Sequence, residues 1–168
     1  SGDSVLYNDD QAFNELGEVA DYFLVHNREI YAPLDDSVVV VINNKPRFIR
    51  RSRGYVPEPI HCDGLEQTSI LAMGSDLKNA FAVNKGSEVL VGPHIGDLEN
   101  ASTHKTLEWT IERYKSLFSI QPEKIIIDSH PQFFSSRLGE RIGKSSHLSV
   151  VPVQHHHAHI ASVMAEHN

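Results

Sequence analysis

Hydrophobic residues along this chain follow two patterns, which predict two kinds of element. Short uninterrupted aliphatic runs such as Val38–Ile42 and Ile125–Ile127 have the length of buried strands. Residues 102–118 instead repeat apolar side chains every three or four positions, which predicts an amphipathic helix. Because runs of both kinds occur along the chain, we predict an α/β protein with a mixed sheet flanked by helices.

A stretch without either pattern divides the chain. Residues 59–69 show no periodicity, which predicts a linker between two domains at 1–58 and 70–168. We predict strands at 22–25, 38–42, 46–50, 70–74, 80–83, 88–91, 124–128 and 148–153, and helices at 9–19, 102–118, 133–142 and 158–167. The helix at 133–142 is expected to stop at Gly143, because glycine often follows the last turn of a helix.

Composition then narrows the class of protein. The chain has 168 residues, 40% of them hydrophobic, which suits one domain or two small ones. Its net charge of −7 disfavours nucleic-acid binding driven by overall charge. Cys62 is the only cysteine, which excludes a disulfide framework and fits the reducing cytoplasm. The aliphatic runs are too short to cross a bilayer, so we expect no membrane partner.

A cluster of histidines is the most informative chemical feature. Four of them lie within residues 154–159, between the predicted strand at 148–153 and an apolar helical pattern. His155 and His159 are four positions apart, so on a helix their imidazoles project from one face and can share a metal ion. A purification tag is disfavoured, since Ala158 breaks the run and the helical pattern continues. A solvent-exposed histidine run remains the alternative.

Two weaker features point to an anionic ligand. The turn Gly74–Asn79 has exposed amides and a lysine that can hold phosphate, although a plain polar loop is the simpler interpretation. A basic patch places five cations within nine positions of this acidic chain: Lys45, Arg47, Arg50, Arg51 and Arg53. Guanidinium groups bind phosphate and carboxylate through two parallel hydrogen bonds. A charged edge strand is the alternative, but the charges continue past the strand into a loop.

Two further polar segments follow predicted strands. Asp128–Pro131 ends an isoleucine-rich strand at its carboxyl end, where open α/β sheets bind ligands. Asp128 and His130 either support a ligand or metal site, or Asp128 stabilises a local turn only. The loop His94–Asn100 precedes the long helix and by itself predicts no more than a helix cap.

Taken together, these segments resemble the HypF family of hydrogenase maturation carbamoyltransferases. The resemblance rests on six segments that lie in the family's order and cover nearly the whole length of the chain. They are His26–Ile30 with Asp35–Val38, Arg50–Pro57, Gly74–Asn79, His94–Leu98, Asp128–Pro131, and His155–His159 with Glu166 and His167.

The resemblance implies pieces of two domains. Residues 1–58 would be the C-terminal part of a YrdC-like α/β domain that forms an adenylate. Residues 70–168 would be the first lobe of an actin-like (ASKHA) ATPase-type domain with a mixed sheet. The remainder of both domains, with the family's acylphosphatase and zinc-finger regions, would lie outside this chain. We therefore expect the chain alone to be inactive, because half a cleft cannot hold two reactants in register.

The resemblance also implies a metal site and a nucleotide site. His155 and His159 would bind a divalent metal, iron or zinc, with further carboxylate ligands beyond Asn168. His156 and His157 would lie outside the set of ligands. The nucleotide and its phosphates are assigned to Asp76, Lys78, Asn79, Arg50, Arg51 and Arg53.

The implied activity is carbamoyl transfer. Carbamoyl phosphate would be hydrolysed, carbamate adenylated by ATP, and the carbamoyl group passed to the C-terminal cysteine of the partner protein HypE. That acceptor would then yield the cyanide ligand of a nickel–iron hydrogenase. Two alternatives remain, a small-molecule O-carbamoyltransferase with the same two domains and a non-catalytic actin-like interaction module. No specific nucleic-acid partner is expected.

Overall fold

The structure is a computed structural model that describes residues 6–30, 33–65 and 67–166. Its elements, in chain order, are α1 (Asp9–Leu16), β1 (Val38–Ile42), β2 (Lys45–Arg50), β3 (Ile60–His61), β4 (Ile70–Ala72), β5 (Ala82–Lys85), β6 (Glu88–Val91), α2 (Ala101–Phe118), β7 (Lys124–Asp128), α3 (Phe134–Ser146), β8 (Ser149–Val153) and α4 (His155–Glu166). The predicted mixed α/β architecture is confirmed. None of these described helices has the length and apolar character of a membrane-spanning segment.

Six strands form one mixed sheet in the order β3-β6-β5-β4-β7-β8. The β3, β6, β5 and β4 strands pair antiparallel, whereas β4, β7 and β8 run parallel. The edge strand β3 lies within residues 59–69, so part of the predicted linker is built into the sheet. The strand predicted at 80–83 extends further, because Asn84 and Lys85 also pair with β6. Gly86 then reverses the chain at a φ of 60°.

The β1–β2 hairpin closes through a two-residue turn. Asn43 and Asn44 both adopt the left-handed conformation, which matches the twist of the flanking strands. The strand predicted at 22–25 is wrong, because this segment has no strand partner within the described residues. The ring of Phe23 packs edge-on against Phe13 of α1 instead, with the centroids 4.9 Å apart.

The helices α2 and α3 lie side by side against the sheet. The His104 ring stacks on Phe134 at 3.5 Å, and Arg141 forms an ion pair with Glu108 at 2.6 Å. The buried face of α2 carries Leu107, Ile111 and Tyr114. Leu117, an apolar residue in the last turn of α2, is 71% exposed. It lies about 20° from the direction of the buried Thr110, so its exposure does not follow from its direction on the helix.

The prediction that the helix after residue 133 ends at Gly143 is also wrong. The α3 helix continues to Ser146 and ends at His147, which adopts the left-handed conformation. Gly139 and Gly143 face the sheet, where a Cβ on Gly143 would collide with Val150. Their small size brings α3 close to β7 and β8, so these glycines serve close packing rather than helix termination.

Replacing Gly139 by alanine is expected to lower the free energy of unfolding by about 1–3 kcal/mol through overpacking. A Cβ there would lie 2.5 Å from Cγ2 of Ile127 and 2.9 Å from Cγ of Met73. Urea unfolding followed by circular dichroism measures the effect. Glu140→Ala, on the exposed face of the same turn, is the control and should change stability by less than ~0.5 kcal/mol. Equal stability of the two variants would show that the sheet accommodates a methyl group at Gly139.

Candidate functional site

The carboxyl ends of the parallel strands bring the chemically interesting residues to one edge of the sheet. Asp128 and Val153, the last residues of β7 and β8, lie opposite each other in register. Met73, just beyond β4, donates its backbone N–H to the carbonyl of Ile126 in β7. The turn after β4, the loop after β7 and the start of α4 therefore share the edge at which open α/β sheets bind ligands.

His155 and His159 lie close together on α4, as their spacing predicted. Their Nε2 atoms are 3.0 Å apart. Two imidazole nitrogens at this separation can each lie about 2.1 Å from one ion, with an angle of about 90° at the ion. The His155 side chain is 42% exposed, and His156 and His157 are exposed beside it. The donor type and the geometry therefore fit a divalent metal, and metal binding itself stays a prediction.

Asp128 contacts this pair from the end of β7. Its Oδ2 lies 2.6 Å from Nδ1 of His155, and its Oδ1 accepts the backbone N–H of His130 at 2.8 Å. The structure thus contains the local turn that the sequence suggested, and the same carboxylate also reaches a histidine of the cluster. Across residues 6–30, 33–65 and 67–166, histidine, cysteine, aspartate and glutamate form no group of three or more suited to a metal ion.

Asp76 in the turn after β4 is used to hold the first turn of α3. Its two carboxylate oxygens accept the backbone N–H groups of Phe134 at 2.7 Å and Ser135 at 2.9 Å. A negative charge at a helix N-terminus is favourable, and these bonds satisfy two donors that have no partner inside the helix. Asp76 therefore connects the turn to α3. Its predicted contact with nucleotide phosphate stays a prediction.

Asn79 closes the same turn from within the protein. It is fully buried, and its Nδ2 donates to the carbonyls of Met73 at 3.0 Å and Ser75 at 2.6 Å. Lys78, in contrast, has an exposed side chain, while its backbone N–H donates to Asp97 at 2.7 Å. Of the three residues predicted in this turn, Lys78 is the one whose side chain is placed to meet a ligand.

Two of the three arginines predicted to bind the nucleotide contact the protein's own loops. Arg51 donates from Nη2 to the carbonyls of Tyr55 and Glu58, both at 3.0 Å. Arg53 lies 3.4 Å from the carboxylate of Asp36 and donates to a backbone carbonyl at 2.9 Å. These contacts fasten the loop that follows β2, so the basic patch does not act as one surface.

Arg50 instead lines a cavity of about 800 Å³, together with Lys78, His94 and Asp97. It forms an ion pair with Asp35 at 3.3 Å. The pKa of His94 is lowered by burial and by the nearby Arg50 cation, while Asp35 and Asp97 oppose the shift. The sequence did not reveal this cavity, because its walls come from segments that are far apart along the chain.

The predicted helix cap is present, since Asn100 caps α2.

Replacing Arg50 by glutamine is expected to raise the pKa of His94. A neighbouring cation disfavours the imidazolium form, so removing the charge favours protonation, and the unpaired Asp35 acts in the same direction. Proton NMR titration of the His94 ring measures the shift, with Lys85→Gln as a distant charge control. A lower pKa in Arg50→Gln would contradict the proposed cause.

Two family models match the chain. Residues 65–166 match the HypF Kae1-like domain, and residues 1–52 match the Sua5, YciO and YrdC family, which is described under telomere recombination. Carbamoyltransferase HypF of Synechocystis sp. is 41% identical over 99% of this chain, and that of Rhizobium leguminosarum is 40% identical over 98%. The chain spans 21% of the length of each of these relatives.

Solved structures agree with these matches. A crystal structure of full-length HypF in a phosphate- and nucleotide-bound form superposes with a TM-score of 0.91 at 40% identity, over 100% of this chain and 26% of that one. The HypF structure from T. kodakarensis gives a TM-score of 0.88 at 37% identity, over 98% of this chain and 22% of that one. The predicted order of a YrdC-like tail followed by an actin-like lobe is confirmed.

Proposed function

The chain belongs to the HypF family of carbamoyltransferases, and we propose that it forms part of an enzyme that transfers a carbamoyl group. The proposed substrates are carbamoyl phosphate and ATP, from which the YrdC-like part makes a carbamoyl-adenylate. The proposed acceptor is the C-terminal cysteine of HypE, during maturation of nickel–iron hydrogenase. Family membership supports this assignment. One feature of the structure supports a role for particular residues in it.

That feature is the imidazole pair of His155 and His159, with its Nε2 atoms 3.0 Å apart at the carboxyl edge of the sheet. We propose that both nitrogens bind a divalent metal, iron or zinc, with carboxylate ligands from beyond Asn168. The chemistry that such an ion supplies when bound is Lewis-acid polarisation of a substrate oxygen. The two histidines would fix the position of the ion at this edge. The exposed side of His155 leaves space for substrate beside it.

The anionic part of the substrate is proposed to contact Arg50 and Lys78. Both line the cavity of about 800 Å³, a volume that suits a small-molecule ligand. Arg51, Arg53, Asp76 and Asn79 act indirectly in this proposal. Their hydrogen bonds shape the loop that follows Arg50 and the turn that carries Lys78. Guanidinium and ammonium groups would then neutralise phosphate charge as the adenylate forms.

Alanine in place of His155 or His159 is expected to remove bound metal and carbamoyl transfer together. Each change deletes a proposed ligand, so metal content of the complete protein should fall at least about tenfold. Metal is measured by inductively coupled plasma mass spectrometry. Transfer is measured with radiolabelled carbamoyl phosphate and HypE as acceptor.

His157→Ala, an exposed histidine of the same cluster, is the matched control and should keep both readouts. A HypE variant without its C-terminal cysteine tests the acceptor, because labelling of that variant would contradict the proposed thiol. Unchanged metal and transfer in both His155→Ala and His159→Ala would refute the metal assignment. Loss of metal with full carbamoyl transfer would show that the ion has a structural role and no role in the transfer.

Alanine in place of Arg50 or Lys78 is expected to raise the KM for ATP. A hydrogen bond to a charged group contributes about 1.5–3 kcal/mol, which corresponds to about a 10- to 100-fold change. Carbamoyl-phosphate-dependent exchange between ATP and pyrophosphate measures it in the complete protein. Lys85→Ala, on the β5–β6 hairpin away from the cavity, controls for the lost charge. Wild-type kinetics in both cavity variants would leave the cations without a role in substrate binding.

A further inference from the structure

We propose that Asp128 is a positioning residue that holds His155 in the one neutral tautomer able to bind a metal through Nε2. This inference rests on the proposed role of His155 and His159 as metal ligands. It concerns a residue that is not itself a ligand and that acts through His155.

The first step is the short contact between the two side chains. Oδ2 of Asp128 lies 2.6 Å from Nδ1 of His155, and the aspartate side chain is 7% exposed. An ionised carboxylate has no proton to give, so the hydrogen in this bond belongs to Nδ1 of the imidazole. In a neutral ring with a protonated Nδ1, the lone pair lies on Nε2. That lone pair is directed at the partner histidine, His159, and is available to a metal.

The second step is that the carboxylate cannot turn away. Its other oxygen accepts the N–H of His130 at 2.8 Å, and the backbone carbonyl of Asp128 accepts the Ser136 hydroxyl at 2.9 Å. Ser129 donates its N–H to the carbonyl of Val153 at 2.9 Å, which joins the ends of β7 and β8. His155 begins α4 two residues after Val153, so the sheet register sets its distance from Asp128.

The third step is the asymmetry of the histidine pair. Since Nε2 of His155 carries the lone pair, the 3.0 Å contact requires His159 to donate from its own Nε2 in the metal-free protein. Metal binding through Nε2 of His159 would require this proton to move to Nδ1 of the same ring, whereas His155 already has its Nε2 lone pair exposed to the site. Loss of a carboxylate that is hydrogen-bonded to a metal-binding histidine typically weakens metal affinity 10- to 100-fold.

Substitution of Asp128 by asparagine separates positioning from a role in the turn. The amide of the substituted side chain would keep an oxygen for the N–H of His130, which leaves its NH₂ group directed at Nδ1 of His155. That NH₂ group donates to Nδ1 and therefore stabilises the Nε2-protonated tautomer, which cannot bind a metal through Nε2. Asp128→Asn should thus weaken metal binding at least as much as Asp128→Ala. A residue that only shaped the turn would give the opposite order, with asparagine close to wild type.

The experiment is a titration of the metal-free complete protein with Co²⁺, followed by the visible absorption of the bound ion. We expect a 10- to 100-fold weaker dissociation constant in Asp128→Ala and no rescue in Asp128→Asn. Glu123→Gln makes the same charge change at the opposite end of β7 and should bind Co²⁺ as wild type does. Thermal unfolding of each metal-free variant shows that it is folded.

The tautomer is read independently of the metal. Nitrogen chemical shifts of His155, in metal-free protein labelled with ¹⁵N-histidine, should report a protonated Nδ1 in wild type and a protonated Nε2 in Asp128→Asn. Wild-type cobalt affinity or an unchanged tautomer in Asp128→Asn overturns the positioning role while the metal site stands. Retained cobalt binding in both His155→Ala and His159→Ala overturns the metal site itself, and with it this inference.

Discussion

The parallel pairing of β7 with β4 on one side and β8 on the other is the constraint on which the remaining structure depends. Parallel strands end at the same edge, so the register that places Asp128 opposite Val153 also places the turn after β4 beside the start of α4. The buried Ile125 and Ile127 hold β7 between β4 and β8. A slip of one residue would turn both side chains out of the core, which makes the register, and hence the edge, well defined.

Two carboxylates that form hydrogen bonds with residues far away along the chain fix the arrangement of groups at that edge. Asp76 bonds to backbone donors 58 and 59 positions away, and Asp128 reaches across 27 positions to His155. A carboxylate that is removed from water is costly unless it is paired, so each of these contacts also offsets the cost of burial. The close approach of α3 at Gly139 and Gly143 is needed for this, because it brings the first turn of the helix within reach of Asp76.

The sequence predicted what depends on neighbours along the chain. Aliphatic runs gave β1 and β7 at their observed bounds, and a four-residue spacing predicted that His155 and His159 share a face. It failed where tertiary packing decides, as at Gly143, whose small size serves contact with β8. The partners of Asp76 and Arg51 were equally hidden, since no local pattern records a hydrogen bond to a distant backbone group. The cavity beside His94 belongs to the same class, because it is assembled from separate segments.

The candidate site has two parts, the His155 end of the histidine pair with Asp128 and the Arg50 cation at the cavity, and they are held with different rigidity. This difference suits the chemistry proposed for each part. The bond between Asp128 and His155 has one partner almost fully removed from water, whereas Arg50 and Asp35 are 38% and 39% exposed. Exposed ion pairs typically contribute only ~0–1 kcal/mol, so Arg50 can exchange Asp35 for another anion at little cost. A metal ligand gains from a fixed orientation, whereas a cation that must accept and release a phosphate gains from a weak resting partner. Rigidity at the end of β7 and exchangeable charge at the end of β2 therefore follow from where each residue lies relative to the sheet.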